Sequence, residues 1–287
     1  MNITDNFPAK DDDGLETEIV RSWAEEKYKL VYQYSSLFCK SMKDKWDCLI
    51  YIDLFSGSGR SRINHKRIID AIPLLILSSE NKFNRYIFCD VDKSKCETLL
   101  KRVKRLYGNP QGNNITILNG DANLIATDIL KLLPTPTRSH KVLGFCLIDL
   151  YGIDDLKFDT IRTLSQRFMD FLVLIPTGMD ANRNVSLYVK RDNTKLDEFL
   201  GTSTWREEWK IAELKRESFE IFVANRFSKS MQELEYLDPG IEYMKSIHSD
   251  DKNLLLYRLA LYSRNPLGLK FWQESVRYSN PQRDLSF

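Results

Sequence analysis

Short apolar runs alternate with longer amphipathic segments from residue 48 onward. The apolar runs predict strands at 48–55, 85–90, 114–119, 142–149 and 170–176. The segments between them predict helices at 70–80, 93–107, 122–133 and 157–168. Continuous apolar strands are typical of a parallel sheet that is buried on both faces by helices. Five consecutive β-α units therefore predict an α/β fold with a doubly wound, Rossmann-like sheet.

The two ends of the chain depart from this rhythm. Apolar positions in 15–45 recur at spacings of three and four, which predicts an N-terminal helix. Residues 178–211 are polar and aromatic, and 212–236 again favour a helix. Strands at about 241–248 and 254–263 flank a polar turn and predict an antiparallel hairpin. Five parallel units followed by such a hairpin match the sheet of S-adenosylmethionine-dependent methyltransferases, whereas dinucleotide dehydrogenases normally continue the parallel winding.

This pattern divides the chain into four parts. We expect an N-terminal helical cap at 1–45 and an S-adenosylmethionine-binding, Rossmann-like core at 46–178. A helical or irregular insertion is expected at 179–236. The hairpin and a last helix, at 237–287, are expected to complete the same domain rather than to form a second one.

Composition narrows the class of protein. The 287 residues include 42 Lys and Arg against 40 Asp and Glu, so only a clustered basic face would indicate nucleic acid. Five cysteines without a CxxC pair and three histidines show no zinc-type spacing, so no metal site is predicted. Reduced, buried thiols favour a cytoplasmic location. The polar, acidic N-terminus argues against a secretory signal, and no apolar stretch is long enough to predict a membrane helix.

The first predicted strand ends in a glycine loop, DLFSGSGR, which spans 53–60. Glycines let the backbone approach a ligand closely, although a plain strand-to-helix turn explains two of them equally well. A dinucleotide fingerprint needs a third glycine where this chain has Arg62, which weakens an NAD interpretation. Methyltransferases place a carboxylate before the glycines, facing the ammonium side of the cofactor. The residues predicted to hold the amino-acid end of the cofactor are Asp53, Phe55, Gly57 and Gly59.

Acidic residues also follow the second and third strands. Asp90 ends the second strand and can accept hydrogen bonds from both hydroxyls of a ribose. Asp92, two residues later, is better explained as a helix N-cap. At the third strand, Asp121 with the backbone N–H of Ala122 is a candidate for the adenine edge, and capping of the next helix explains Asp121 equally well.

The fourth strand ends in CLIDLYG, where an open α/β sheet carries its reactive groups. Amino-methyltransferases of nucleic acids often have Asp/Asn-Pro-Pro-Tyr/Phe here: the acid or amide holds the target amino group and the aromatic ring stacks on the base. Asp149 and Tyr151 match this pattern and are the predicted catalytic residues, but Leu150 stands where proline is expected. Methyl transfer from a sulfonium is an in-line displacement that needs positioning more than a strong base.

Further polar residues are predicted to contact the substrate. Arg60 and Arg62 belong to a basic loop after the glycines, where a phosphate contact competes with the default of solvated charges. Thr177, Asn182 and Arg183 follow the fifth strand and are expected at the same lip as Asp149. By contrast, Trp205 and Trp209 are four residues apart and indicate a helix packing face rather than a stacking platform.

Taken together, these stretches resemble one known family. The sequence contains EEKYKLVYQYSSLF, YIDLFSGSGR, IFCDVDKSK, NGDAN, LIDLYG, DANRN, LDEFLGTSTWREEW and LALYSRNPLGLKFW. From about Trp23 to Arg277 it is similar to the three-Cys-motif partner protein (TcmP) family, and the stretch from Ser263 to Trp272 is the most specific part of the resemblance. The resemblance implies a methyltransferase-like fold, S-adenosylmethionine as cofactor and a radical-S-adenosylmethionine-like partner protein encoded nearby. The family usually has Asp-Pro-aromatic-Gly at the fourth strand, so Leu150 is a departure.

Two hypotheses follow. The first is an S-adenosylmethionine-dependent methyltransferase that acts on nucleic acid or on a nucleotide-like acceptor. The second is a catalytically silent protein of the same fold that binds the cofactor and a second protein. Leu150 and the family's association with a partner motivate the second hypothesis.

Overall fold

The computed structural model describes residues 7–278. The strands in these residues are β1 (Glu18–Val20), β2 (Cys48–Asp53), β3 (Arg60–Ile63), β4 (Arg67–Asp70), β5 (Arg85–Asp90), β6 (Ile115–Asn119), β7 (Val142–Ile148), β8 (Met169–Ile175), β9 (Lys245–His248) and β10 (Leu255–Tyr262). The α-helices are α1 (Trp23–Met42), α2 (Ile72–Ser78), α3 (Lys93–Tyr107), α4 (Ala122–Leu132), α5 (Phe158–Leu164), α6 (Val185–Tyr188), α7 (Lys195–Leu200), α8 (Trp205–Leu214), α9 (Phe219–Gln232) and α10 (Pro266–Tyr278).

Seven strands form the central sheet, in the order β6-β5-β2-β7-β8-β10-β9. The first five run parallel, while β10 is antiparallel to both β8 and β9. The predicted Rossmann-like α/β sheet with five parallel β-α units and an antiparallel hairpin is therefore confirmed. The strand order reverses at β2, which lies between β5 and β7. In open α/β sheets, ligands bind outside the carboxyl ends of the strands at this switch point.

Side chains of the sheet alternate between two buried layers. In β2, Ile50 and Ile52 face one layer and Leu49 and Tyr51 face the other, as the two-residue period of a strand requires. Helices α1, α2, α3 and α10 cover the second layer. Helices α4, α5, α7, α8 and α9 cover the first. Burial on both faces explains why the strands read as continuous apolar runs.

The N-terminal region differs from the prediction. The first helix begins at Trp23, not at residue 15, because residues 18–20 form β1. The basic stretch predicted to be a loop after the glycines is instead the β3–β4 hairpin. Strand β1 pairs in parallel with β3, so β1, β3 and β4 form a small second sheet. Short strands of four residues or fewer carry too little periodicity to be recognised from sequence.

The late part of the chain agrees better with expectation. Trp205 and Trp209 are buried on α8 and pack against Phe219 of α9, so the predicted packing face is confirmed. The helix predicted at 212–236 is two helices, because α8 ends at Leu214 and α9 begins at Phe219. Among residues 7–278, none of the helices has the length and apolar character that crossing a membrane requires.

Candidate functional site

A cavity of about 710 Å³ opens at the carboxyl edge of the central sheet. Asp53 at the end of β2, Asp90 at the end of β5 and Asp149 just after β7 all line it, together with the glycine loop. The opposite wall comes from β1 and from the start of α1. The cavity lies at the switch point of the strand order, where α/β proteins bind their ligands.

The glycine loop approaches the cavity in a conformation that favours glycine. Gly57 has φ +63° and Gly59 has φ +89°, both in the left-handed region. Gly59, predicted to bind the cofactor, does not line the cavity: a Cβ atom there would lie 2.7 Å from Leu99 Cδ1, so the loop packs tightly on α3 at this position. The Gly57 amide donates a hydrogen bond of 2.8 Å to Asp90 Oδ2, which ties the loop to the end of β5.

Asp53 is a buried carboxyl group beside the cavity. It is 1% exposed, and its Oδ1 accepts a hydrogen bond of 3.1 Å from the amide of Phe55, which also lines the cavity. Burial raises the pKa of Asp53 well above its ordinary value, and the neighbouring charge of Asp149 raises it further. A cationic ligand group placed here would favour the ionised carboxylate.

Asp90 is held by the backbone on both of its oxygens. Oδ2 accepts from the Gly57 amide, and Oδ1 accepts from the Asp92 amide at 2.9 Å. Each carboxylate oxygen can accept a second hydrogen bond, so two acceptor positions remain for a diol. Asp92 caps α3 by accepting from the Ser94 amide at 2.8 Å, which confirms its predicted capping role.

Asp121 and Ala122 lie at the start of α4 and do not line the cavity. Asp121 accepts a hydrogen bond of 2.8 Å from the Asn123 amide, so it performs the capping role that was one of its two interpretations. Its contact with adenine stays a prediction. Val91, which the sequence reasoning missed, lines the cavity next to Asp90 and is 70% exposed. An apolar side chain open to the cavity suits the flat face of a base.

A lysine from α1 pairs with Asp149. Lys27 Nζ lies 2.8 Å from Oδ1 and 2.6 Å from Oδ2 of Asp149, and both side chains are mostly buried. The ammonium group also lies 5.7 Å from the ring of Trp23 and 5.4 Å from the ring of Tyr28. Sequence reasoning missed this partner because 122 residues separate the two groups. A lysine between Ala24 and Tyr28, on the buried side of an amphipathic helix, was the available signal.

Tyr151 stands at the rim of the cavity and is 78% exposed. Its amide donates to Asp155 Oδ2 at 3.0 Å, so the backbone is fixed while the ring is free to meet a ligand. Leu150 lines the cavity too, and it is 1% exposed within the apolar core. Across the cavity, Trp23 and Tyr257 contact each other with ring centroids 5.3 Å apart.

The residues after β8 are not brought to the cavity. Thr177 is fully buried, while Asn182 and Arg183 are exposed to solvent, and none of the three lines the cavity. Asp180 fixes the segment between Thr177 and Asn182, because its Oδ2 accepts a hydrogen bond of 2.7 Å from the Ile153 amide. Thr177, Asn182 and Arg183 were expected beside Asp149, but the chain forms a π-helical segment just after β8 and leaves them outside the cavity.

Arg60 and Arg62 lie on β3 and are paired with acidic residues rather than solvated. Arg60 contacts Asp13 and Asp70, each at 3.2 Å, and lines the cavity. Arg62 lies 2.6 Å from Asp12 and does not line the cavity. The expectation of solvated charges is therefore wrong for Arg60 and Arg62, because Asp12 and Asp13 of the N-terminal segment pair with their guanidinium groups. His65 and Lys66 of the same basic stretch are exposed, as expected. A phosphate contact by either arginine stays a prediction.

Comparisons with known proteins give distant similarities only. No protein-family model matches the sequence, and no curated protein matches it. The methyltransferase domain of bacterial CtHen1 is 14% identical with a TM-score of 0.37, and the match covers 82% of this chain and 99% of that domain. A precorrin-6y C5,15-methyltransferase from Geobacter metallireducens is 10% identical with a TM-score of 0.40, covering 90% of this chain and 100% of that one.

A third similar structure is the magnesium protoporphyrin IX methyltransferase of Synechocystis with bound SAH. It is 10% identical with a TM-score of 0.38, and the match covers 83% of this chain and 86% of that one. All three TM-scores are below 0.5, so we assign the fold from the strand order of this chain and not from these similarities. Membership in the TcmP family stays a prediction.

Proposed function

We propose that this protein is an S-adenosylmethionine-dependent methyltransferase. The observation that carries the proposal is the meeting of Asp53, Asp90 and Asp149, from three strand ends, around one cavity at the switch point of the sheet. A sulfonium cofactor with an ammonium group is cationic at its amino-acid end. Carboxylates that line the cavity favour such a ligand over a dinucleotide, whose pyrophosphate is anionic.

The residues at the cavity fit this cofactor. Asp53, whose pKa is raised by burial, would face the ammonium group, and the loop from Phe55 to Ser58 would approach the amino-acid end. The hydroxyl of Ser56 supports this fit, because its buried Oγ has no hydrogen-bond partner among the described residues and Ser56 lines the cavity. Asp90 would accept from the ribose hydroxyls. Asp121 and Ala122 remain candidates for the adenine edge, with Val91 as the apolar surface beside it.

When bound, the cofactor supplies an electrophilic methyl group, and the protein positions the acceptor in line with it. Asp149 and Tyr151 would face this acceptor. Lys27 fixes the Asp149 carboxylate in place, and the exposed ring of Tyr151 can stack on a planar group. We therefore propose nucleic acid or a nucleotide-like molecule as acceptor. The resemblance to the TcmP family extends the proposal to a radical-S-adenosylmethionine-like protein as partner.

Calorimetry with S-adenosylmethionine and S-adenosylhomocysteine tests the cofactor. We expect both to bind wild type, NAD not to bind, and Asp53→Ala and Asp90→Asn each to weaken binding about 10- to 100-fold, since each removes a charged hydrogen-bond acceptor. Lys131→Gln, at an exposed position of α4 that does not line the cavity, is a control that should bind as wild type does. Absence of cofactor binding by folded wild type would end the proposal.

A second function is favoured by one observation. Both oxygens of Asp149 contact Lys27, which leaves the predicted catalytic carboxylate neutralised before any acceptor arrives. This arrangement suits a cofactor-binding protein that regulates a partner without transferring a methyl group. Transfer of labelled methyl to RNA, DNA and protein mixtures distinguishes the two functions. Labelled product that Asp149→Asn abolishes supports the methyltransferase, whereas tight cofactor binding without product supports the silent partner.

A further inference from the structure

The segment at residues 10–20 precedes the Rossmann-like sheet, and its last three residues, Glu18, Ile19 and Val20, line the cavity. Asp13 accepts hydrogen bonds of 2.8 and 2.9 Å from Arg102 on α3, and Arg102 also donates to the Ser58 carbonyl at 2.7 Å. The side chain of Arg102 is 1% exposed. Its hydrogen bonds are the largest cause that lowers the pKa of Asp13 to about 2. The segment is thus anchored directly to the glycine loop.

Anchoring of this segment brings Glu18 over the first glycine of the loop. A Cβ atom on Gly57 would lie 3.1 Å from Glu18 Oε1, so the carboxylate stands directly against the loop backbone. Glu18 lines the cavity, and its Oε1 is shielded from solvent. Lys95 on α3 forms an ion pair of 2.7 Å with the same oxygen and lines the cavity as well. Asp90, the proposed ribose ligand, contacts the same loop, because its Oδ2 accepts a hydrogen bond from the Gly57 amide.

We propose that Glu18 is a further cofactor-binding residue, whose carboxylate accepts a hydrogen bond from a donor group of the ligand. The donor is either a ribose hydroxyl or the ammonium group, since both are part of the cofactor and both would pass the glycine loop. Glu18 would then act beside Asp90 or beside Asp53, respectively. The inference rests on the proposed function, because it assumes that S-adenosylmethionine occupies this cavity.

A purely structural role for Glu18 makes a different prediction. In that role the carboxylate only tethers β1 to α3 through Lys95. Glu16 provides the matched control, because it belongs to the same segment and accepts a hydrogen bond of 2.8 Å from Ser94 of α3. Unlike Glu18, Glu16 does not line the cavity. A tether alone would make Glu18→Gln and Lys95→Gln equivalent, since each removes the same ion pair.

The test is calorimetric titration of the full chain with S-adenosylhomocysteine and with 5′-methylthioadenosine, which lacks the amino-acid end. We expect Glu18→Gln to bind S-adenosylhomocysteine about 10- to 100-fold more weakly than wild type, the effect of losing a charged acceptor. Glu16→Gln should bind as wild type does, and Lys95→Gln should lose less than Glu18→Gln. Thermal unfolding confirms that each variant is folded.

The outcomes distinguish a ribose donor from an ammonium donor, and they distinguish failure of the Glu18 proposal from failure of the proposed function. A loss of affinity for both ligands assigns the donor to the ribose, and a loss for S-adenosylhomocysteine alone assigns it to the ammonium group. If wild type binds and Glu18→Gln binds equally well, or if Glu18→Gln and Lys95→Gln lose equally, the role of Glu18 is refuted while the proposed function stands. If wild type does not bind S-adenosylhomocysteine, the proposed function itself fails.

Discussion

Asp53 ends β2 and Asp149 follows the neighbouring parallel strand β7, yet their carboxyl groups have opposite environments. The Asp149 carboxylate is paired with Lys27 at 2.6 Å. Asp53 is buried with a backbone amide as its hydrogen-bond partner, and burial raises its pKa well above the ordinary value. One carboxylate is therefore neutralised within the chain, while the other is left to be stabilised by something cationic. The comparison indicates that the Asp53 side of the cavity, unlike the Asp149 side, needs a cationic ligand to stabilise its ionised carboxylate.

The largest expected effect comes from breaking the pair on the Asp149 side. Lys27→Met should lower the free energy of unfolding by about 3–5 kcal/mol, because it leaves a buried carboxylate without its cation. Both side chains of the pair are at most 15% exposed, so solvent screening is weak. Chemical denaturation at neutral pH measures the change.

The double variant Lys27→Met with Asp149→Asn is the control for this prediction. Removing both charges should recover most of the lost stability, because the cost lies in the unpaired carboxylate rather than in the lysine stem. A double variant as unstable as Lys27→Met alone would show that packing of the lysine stem, and not the charge, accounts for the loss.

At Asp53, removal of the charge is expected to change the free energy of unfolding in the opposite direction. Asp53→Asn should raise the free energy of unfolding at neutral pH, since each unit of raised pKa costs the folded state about 1.4 kcal/mol once the carboxyl ionises in the unfolded chain. Below the ordinary pKa both states are protonated and the variant gains nothing. The gain then grows as the pH rises from about 4 toward the folded-state pKa of Asp53. Chemical denaturation of wild type and Asp53→Asn at a series of pH values above about 4 measures this difference in the free energy of unfolding.

Asp170 offers a matched buried carboxyl away from the cavity. Burial raises the pKa of Asp170 to about 7, although Ser263 and Arg264 oppose the shift. Asp170→Asn should therefore also stabilise the chain as the pH rises from about 4 to about 7. Cofactor affinity distinguishes the two positions: it should fall in Asp53→Asn and stay unchanged in Asp170→Asn. Equal affinity in both variants would remove Asp53 from the site.

The smallest effect on stability is expected at the rim. Tyr151→Ala should change the free energy of unfolding by no more than about 0.5 kcal/mol, because the side chain is 78% exposed. Methyl transfer to a planar acceptor should nevertheless fall about tenfold, the loss expected from one stacking contact. Leu124→Ala is the control, since Leu124 is 80% exposed and does not line the cavity. Equal transfer by Tyr151→Ala and wild type would show that the ring does not meet the acceptor.

The sequence predicted the sheet well because its signal is local. Strands buried on both faces leave apolar runs, and the acids at 53, 90 and 149 follow these runs directly, so their meeting at one edge could be expected from topology alone. The same reasoning placed Thr177 and its neighbours at the lip, where they are absent from the cavity lining. A single irregular turn after β8 was enough to redirect them.

The other wall of the cavity could not be predicted in this way. Lys27 and Glu18 reach the cavity from segments that precede the sheet, and their partners are distant in sequence. Strand β1 has three residues, too few for a periodic signal. The N-terminal acids that pair with Arg60 and Arg62 lie just before that strand, so the expectation of solvated charges failed at these two arginines for the same reason.

The pH dependence of S-adenosylhomocysteine binding tests the central claim most directly. If an ammonium group completes the charge at Asp53, binding favours the ionised carboxylate, so affinity in wild type should rise as the pH rises above the ordinary carboxyl pKa of about 4 toward the raised pKa of Asp53. Asp53→Asn should bind more weakly and lose most of this rise. Undetectable binding by folded wild type, or an identical pH profile in Asp53→Asn, would contradict the assignment of this cavity to the cofactor.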